Sequence, residues 1–273
     1  MTSTKSRTLC SAGRPRRAGG SCFTAEQLRS MCKRMGINAG SREGKRVLWD
    51  RLNLAFQRSG RCGPEDERCW ARLTGEGSQA LPPSCPTAWR ENDRTWLTNF
   101  DILDVMSQYE TRYRSFHFAG VFPVDASRRD REGGCVVDTM CALDVRALSK
   151  RYAQLGFVFN LDRHDQPGSH WVAVYVGLRP SLPNYGAYYF DSVGQEPPAE
   201  LAAFLNSVVA RMNDPRFRRV VNTERKQYKN TECGMFSINF LVQCLQRRRF
   251  DSIVRDRVFD DQVHRLRYEH FGC

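Results

Sequence analysis

The chain has 273 residues, of which 41% are hydrophobic and 11% aromatic, and its formal net charge is +12. That length fits one well-buried core with a smaller unit, or two modest domains, and no stretch approaches the roughly 20 continuous apolar residues of a membrane span. The charge is concentrated at one end: residues 1–62 hold 14 Lys/Arg against 3 Asp/Glu, whereas the rest of the chain holds 28 against 27.

A positive region of this kind attracts polyanions, so residues 1–62 are expected to meet DNA or an acidic protein surface, the alternative being a solvated tail and helix face. The opening MTSTKSRTLCSAGRPRRAGG has basic residues with no apolar segment behind them. It is not a secretory signal by pattern, and a soluble intracellular protein is expected. Residues 1–21, rich in Gly, Ser, Arg and Pro, read as a disordered basic arm. FTAEQLRSMCKRMGI then predicts a helix capped by Thr24 with Gln27 as reciprocal partner. Leu28, Met31, Cys32 and Met35 form its apolar face and Gly36 its end. NAGSREGKRVLWDRLNLAF predicts a second helix, with Val47, Leu48, Leu52 and Phe56 on one face. The pair resembles a SAP-type helix–extended–helix module, which would imply DNA binding; a docking hairpin is the other reading. SGRCGPEDERCWARL carries a short helix and TGEGSQALPPSCP a linker. Residues 22–90 are thus a helical extension with a linker, and 91–273 a separate folded domain.

Eleven cysteines cannot all pair. None forms a C-x-x-C pair, so neither a zinc ribbon nor a thioredoxin-like motif is supported. Without a signal peptide, mostly free thiols in a reducing compartment are expected. Cys62 and Cys69 flank the acidic turn GPEDER, and a bond between them is left open.

From Trp96 the pattern changes. WLTNFDILDVMSQY predicts a helix capped by Thr98 or Asn99, with Ile102, Val105, Met106 and Tyr109 along one face. MCALDVRALSKRYAQLG predicts a second, closed by Gly156. FVFNLD, HWVAVYVGL and YGAYYFDS read as strands. Pro197 and Pro198 open the helix AELAAFLNSVVARM. RFRRVVNT is another strand, and CGMFSINFLVQCLQRRR a long apolar helix. The order points to an α+β or mixed α/β enzyme domain.

Three positions carry chemistry. His170 stands at the mouth of the strand WVAVYV, Asp191 at the end of YYFD, and Cys233 at the head of the last long helix. A free thiol titrates near ~8.5 and is mostly protonated at neutral pH; a helix N-terminus and a neighbouring imidazolium both favour the reactive thiolate. Asp191 would orient the imidazole. Gly234 would let a substrate carbonyl approach the backbone N–H groups, and Gln227, six residues before Cys233, could donate its neutral amide to an oxyanion. Taken singly, each has a packing alternative: a cysteine in an apolar helix is ordinarily core, as Cys244 is expected to be.

GSHWVAVYV, YYFDSVGQEPP and the Q-x5-C spacing inside QYKNTECGMFSINFL closely resemble the Ulp1-like and adenain-like cysteine proteases, in the order His, Asp, Gln, Cys. The resemblance covers roughly residues 96–270. WLTNFDILDVMSQY, FNLDRHDQPGSHWVAVYV and an extension with a Cys-acidic-Cys segment are similar to the viral branch, the thiol maturation proteases of large nucleocytoplasmic DNA viruses. It implies an α+β fold with a central mixed sheet and flanking helices. It also implies peptide-bond hydrolysis through a thioester, with Cys233 as nucleophile, His170 as base, Asp191 as its orienter and Gln227 as oxyanion donor. No metal or organic cofactor is implied. The implied substrates are viral structural polyproteins and core proteins, with deconjugation of SUMO- or ubiquitin-like modifiers as the alternative. The implied location is the virion or the host cytoplasm. Trp171 would line the substrate channel or pack at the strand edge, and His164 is expected to be a surface residue.

Overall fold

The structure, a computed structural model, describes residues 10–14, 20–129 and 131–273. The chain divides into two compact units, Met1–Cys85 with Tyr268–Cys273, and Pro86–Arg267.

The first unit is built on α1 (Ala25–Arg34), α2 (Lys45–Arg58) and α3 (Glu67–Thr74). Thr24 and Gln27 make the reciprocal cap: the Thr24 N–H donates to Gln27 Oε1 at 2.9 Å and the Gln27 N–H to Thr24 Oγ1 at 3.1 Å. Leu28, Met31, Leu48, Leu52, Phe56 and Trp70 are fully buried together. Val47, expected on the buried face of α2, is 46% exposed, and Trp49 is buried instead. The cause is α3: Trp49 packs 5.5 Å from Trp70 and donates its indole N–H to the buried Glu67 at 2.8 Å, which turns the helix toward that partner.

The expectation of mostly free thiols is overturned. Cys10–Cys22, Cys62–Cys69, Cys85–Cys273 and Cys135–Cys141 are disulfides, and only Cys32, Cys233 and Cys244 are free. Their Cα atoms lie 5.3, 5.8, 4.9 and 6.3 Å apart, within the reach of a bridge. The absence of a signal pattern bears on compartment, not on which sulfurs the fold brings together. One of these bonds also fixes part of the expected disordered arm: Cys10 is bonded to Cys22, and Ser11 and Ala12 are buried. Residues 1–9 and 15–19 of that arm lie outside the described residues.

The second unit is α+β. Its sheet has five strands in sequence order: β1 (Phe116–Pro123), β2 (Gln154–Asn160), β3 (Trp171–Gly177), β4 (Gly186–Phe190) and β5 (Arg218–Val221). The outer pairs β1–β2 and β4–β5 are parallel and the inner pairs antiparallel, so the sheet is mixed. The helices are α4 (Asn99–Arg112), α5 (Asp138–Cys141), α6 (Val145–Arg151), α7 (Ala199–Met212), α8 (Cys233–Leu245), α9 (Phe250–Arg255) and α10 (Asp260–Arg265). Leu155, Phe157, Phe159, Val172, Val174 and Val176 share one core with Leu201, Leu205 and Val208 of α7. The alternate residues of β3 face the other way, toward α8, where Phe190 stacks on Phe240 at 4.8 Å. Covered on both faces, β3 is buried from end to end, which is why its sequence is continuously apolar.

Two elements depart from expectation. The single helix predicted over MCALDVRALSKRYAQLG is two short helices, and Gly156 lies inside β2. Asp144 makes the break: its Oδ1 accepts the N–H groups of Arg146 at 2.9 Å and Ala147 at 3.0 Å, starting a new helix. Strand β1 was not anticipated. Its alternating Phe116 and Phe118 lose step at a bulge where Gly120 adopts φ 138°, a conformation glycine takes without strain.

Candidate active site

His170 directly precedes β3 and Asp191 directly follows β4. The two strands run antiparallel with Ala173 opposite Phe190, so the start of one and the end of the other share an edge of the sheet. There His170 Nε2 meets Asp191 Oδ1 at 2.6 Å. Asp191 is wholly buried, and its carboxylate also accepts the N–H groups of Val193 at 2.9 Å and Gln195 at 3.2 Å. Asn222 donates to the Asp191 main-chain oxygen at 2.5 Å, fixing the backbone as well. With Nε2 committed, Nδ1 is the ring nitrogen left for Cys233, with which His170 also shares a hydrogen bond. Burial of the ring opposes its charging, but hydrogen bonds to Asp191 and Cys233, and the charges of both, outweigh this and push the imidazole up to about 9.

Cys233 is the first residue of α8 and is 1% exposed. The structure thus brings His170, Asp191 and Cys233 together. Gln227 is close by in chain but differently engaged: its Oε1 accepts Ser192 Oγ at 2.6 Å, and its Nε2 donates to the Lys229 carbonyl at 2.6 Å. One N–H of the amide is used in this way, leaving the second for another acceptor. Gly234, expected to make room for a substrate carbonyl, is itself closely packed: a Cβ there would lie 3.2 Å from Leu97 side-chain atoms and 3.3 Å from Trp171 Cδ1. Trp171 is 8% exposed and donates its indole N–H to the Leu97 carbonyl at 3.0 Å. It packs at the strand edge and also lines a cavity of about 550 Å³ with Trp96, Leu97 and the loop Asp162–Gly168. His164 lines the same cavity. It is more than a loose surface side chain, since Nδ1 meets the buried Asp125 Oδ2 at 2.9 Å and its N–H donates to Asp125 Oδ1 at 3.0 Å.

Sequence reasoning missed the groups that hold the cysteine in place. Glu232, just before Cys233, is fully buried. Its carboxylate meets Arg267 Nε at 2.9 Å and His264 Nδ1 at 3.0 Å, and His264 Nε2 meets Asp93 at 3.2 Å. Arg267 further donates to the carbonyls of Thr95 and Thr231 at 2.8 and 3.0 Å and lies 4.7 Å over the Trp89 ring. Asp260 accepts the N–H groups of Tyr228 at 2.9 Å and Lys229 at 3.1 Å, pinning the loop that carries Gln227. These partners lie from 31 to more than 170 residues apart in sequence, so no local spacing announces them. Among the described residues no group of three His, Cys, Asp or Glu side chains is placed to hold a metal ion.

The same stretch carries a family match. Residues 156–273 match the Ulp1 protease family, C-terminal catalytic domain. A thiol protease of Acanthamoeba polyphaga mimivirus is 30% identical over 187 residues, 64% of this chain and 56% of that protein. The chain therefore spans little more than half the length of that relative. A cysteine protease of African swine fever virus (isolate Tick/Malawi/Lil 20-1/1983) is 23% identical over 190 residues, 66% of this chain and 69% of that one. The crystal structure of an African swine fever virus protease superposes with a TM-score of 0.68 at 18% identity, covering 98% of this chain and 97% of the other; the fold is shared across both units. Among the described residues no helix is long and apolar enough to cross a membrane.

Proposed function

We propose that the chain is a cysteine endopeptidase that hydrolyses peptide bonds through a thioester, with Cys233 as nucleophile, His170 as base and Asp191 as its orienter. The observation that carries this is the 2.6 Å contact between His170 Nε2 and Asp191, made by a ring whose other nitrogen is left for the sulfur. His170 takes the proton from the Cys233 thiol to give the thiolate. The thiolate attacks the substrate carbonyl carbon, and the carbonyl π-electrons move to oxygen. Collapse of this intermediate breaks the C–N bond as His170 delivers its proton to the leaving amine. Water then gives a proton to His170 and attacks the thioester, and the sulfur leaves as thiolate. The backbone N–H of Cys233 and the second amide N–H of Gln227 are the assigned oxyanion donors. Trp171 walls the substrate channel.

The substrate class proposed is viral structural polyprotein or core protein, within the virion or the infected cytoplasm. Support comes from the relatives, a mimivirus thiol protease and an African swine fever virus cysteine protease. A second reading is deconjugation of a ubiquitin-like modifier, favoured by the name SUMO-1 cysteine protease given to the protein of another African swine fever virus isolate, Pig/Kenya/KEN-50/1950. Residues 1–62 are assigned to DNA or an acidic protein. Non-specific DNA affinity that falls steeply with salt, and is weaker in a protein whose basic residues there are neutralised, tests this.

Wild type and Cys233→Ala protein incubated with particle lysate, with Gly-Gly peptides and with a SUMO conjugate, and followed by product mass spectrometry, test the activity. New termini in lysate proteins made only by wild type support maturation. Cleavage of the conjugate alone supports deconjugation. Equal products from both proteins overturn the assignment of Cys233.

A further inference from the structure

A second cavity of about 590 Å³ lies in the same unit. One wall comes from the loops that follow the parallel strands β1 and β2, which supply Arg128, Arg129 and Arg163, and the other from α7, which supplies Arg211. Crevices beyond the carboxyl ends of parallel strands are the common ligand positions of such sheets, and the volume suits a small molecule.

Among the described residues the charges in this cavity do not balance. Its carboxylates are Asp125 and the exposed Glu200. Asp125 is already shared by Arg128 at 3.5 Å, Arg163 at 3.5 Å and His164 at 2.9 Å. Arg129 and Arg211 are held differently. Each guanidinium is anchored by a main-chain carbonyl, Arg129 on Gly133 at 3.0 Å and Arg211 on Leu143 at 3.1 Å. Among the described residues neither has a carboxylate within 4.0 Å; the charge of Asp144 acts on Arg211 only from farther away. Two guanidinium groups fixed by neutral acceptors, with most of their N–H bonds free, form a preset fork for an anion. Beneath them Met140, Val145 and Val208 are buried, and Phe204 adds a ring, so the floor is apolar.

We propose that this cavity binds a small ligand carrying two or three phosphoryl groups, held by Arg129 and Arg211 with Arg128 and Arg163 on the rim. Two sources share this chemistry, an inorganic polyphosphate and a nucleoside di- or triphosphate whose base would lie on the apolar floor. The site is separate from Cys233, and its test reads binding, so its outcome is independent of peptidase activity.

The experiment is isothermal titration of the full chain with ATP and with inorganic tripolyphosphate, in sulfate buffer of matched ionic strength. Saturable binding at one site per chain is expected. It should weaken at least tenfold in R129Q/R211Q, and also weaken in R163Q, while R179Q, an exposed position outside the cavity, leaves it unchanged. Both arginines of the double variant are exposed, and an unchanged melting curve without ligand verifies its fold. Tighter binding of ATP assigns the nucleotide; equal affinity assigns the inorganic chain. Absence of saturable binding, binding indifferent to R129Q/R211Q, or binding lost in R179Q overturns the proposal.

Discussion

Glu232 and Arg267 form an ion pair from which solvent is excluded: the contact is 2.9 Å and both side chains are 0% exposed. A pair buried this deeply costs desolvation to form, but removal of one partner strands the other. Arg267→Met should therefore destabilise the protein by about 3–5 kcal/mol in urea unfolding. His264 remains on Glu232 and should hold the loss toward the lower end. Peptidase activity should fall as well, because Glu232 precedes Cys233 at the start of α8. Full stability in Arg267→Met would mean that Glu232 is compensated by water or by His264 alone.

The raised pKa of His170 makes stability depend on pH. Its folded value, about 9, lies above the ordinary 6.5. The contribution is thus fully present below pH 6.5 and disappears as pH rises through 9. Asp191→Asn removes the larger of the two hydrogen-bonded partners that raise it, so the variant should lose most of this pH dependence and cut kcat by roughly four orders of magnitude. Unfolding free energies of the two proteins across that range provide the check; parallel curves would contradict the account.

Gln227→Ala should lower kcat by about two to three orders of magnitude, with little change in KM, if the amide serves only the transition state. Ser192 would lose its acceptor at the same time, so Ser192→Ala is the control. If Ser192→Ala reproduces the whole loss, Gln227 acts by bracing the loop and not by donating to the oxyanion.

Gly234→Ala probes the packing behind the nucleophile. The added methyl would meet Leu97 and Trp171 at 3.2–3.3 Å, and overpacking of this order costs about 1–3 kcal/mol. A shifted Trp171 emission spectrum should accompany the loss. An unaltered spectrum with unaltered activity would show that Leu97 yields freely.

Much of the second unit is legible in sequence because its signals are local. Thr98 caps α4, where Ile102, Val105, Met106 and Tyr109 are all buried as their spacing predicts. The His-Trp, Asp-Ser and Glu-Cys-Gly elements lie at the ends of strands or helices that local pattern can place. What escaped detection was either masked by a local interruption or set by distant partners. The bulge at Gly120 hid β1, and the Asp144 cap split a helix that apolar spacing had joined. Glu232, His264 and Arg267 acquire their meaning only when α8 and α10 meet, and the Cys85–Cys273 bond only when two sulfurs 188 residues apart do.

The Cys85–Cys273 bond, whose partners are 188 residues apart in sequence, closes most of the polypeptide into a covalent ring. A single cut anywhere inside that ring releases no fragment, because the two pieces stay joined through sulfur. Self-cleavage or nicking of this protein would pass unseen on a denaturing gel until dithiothreitol was added.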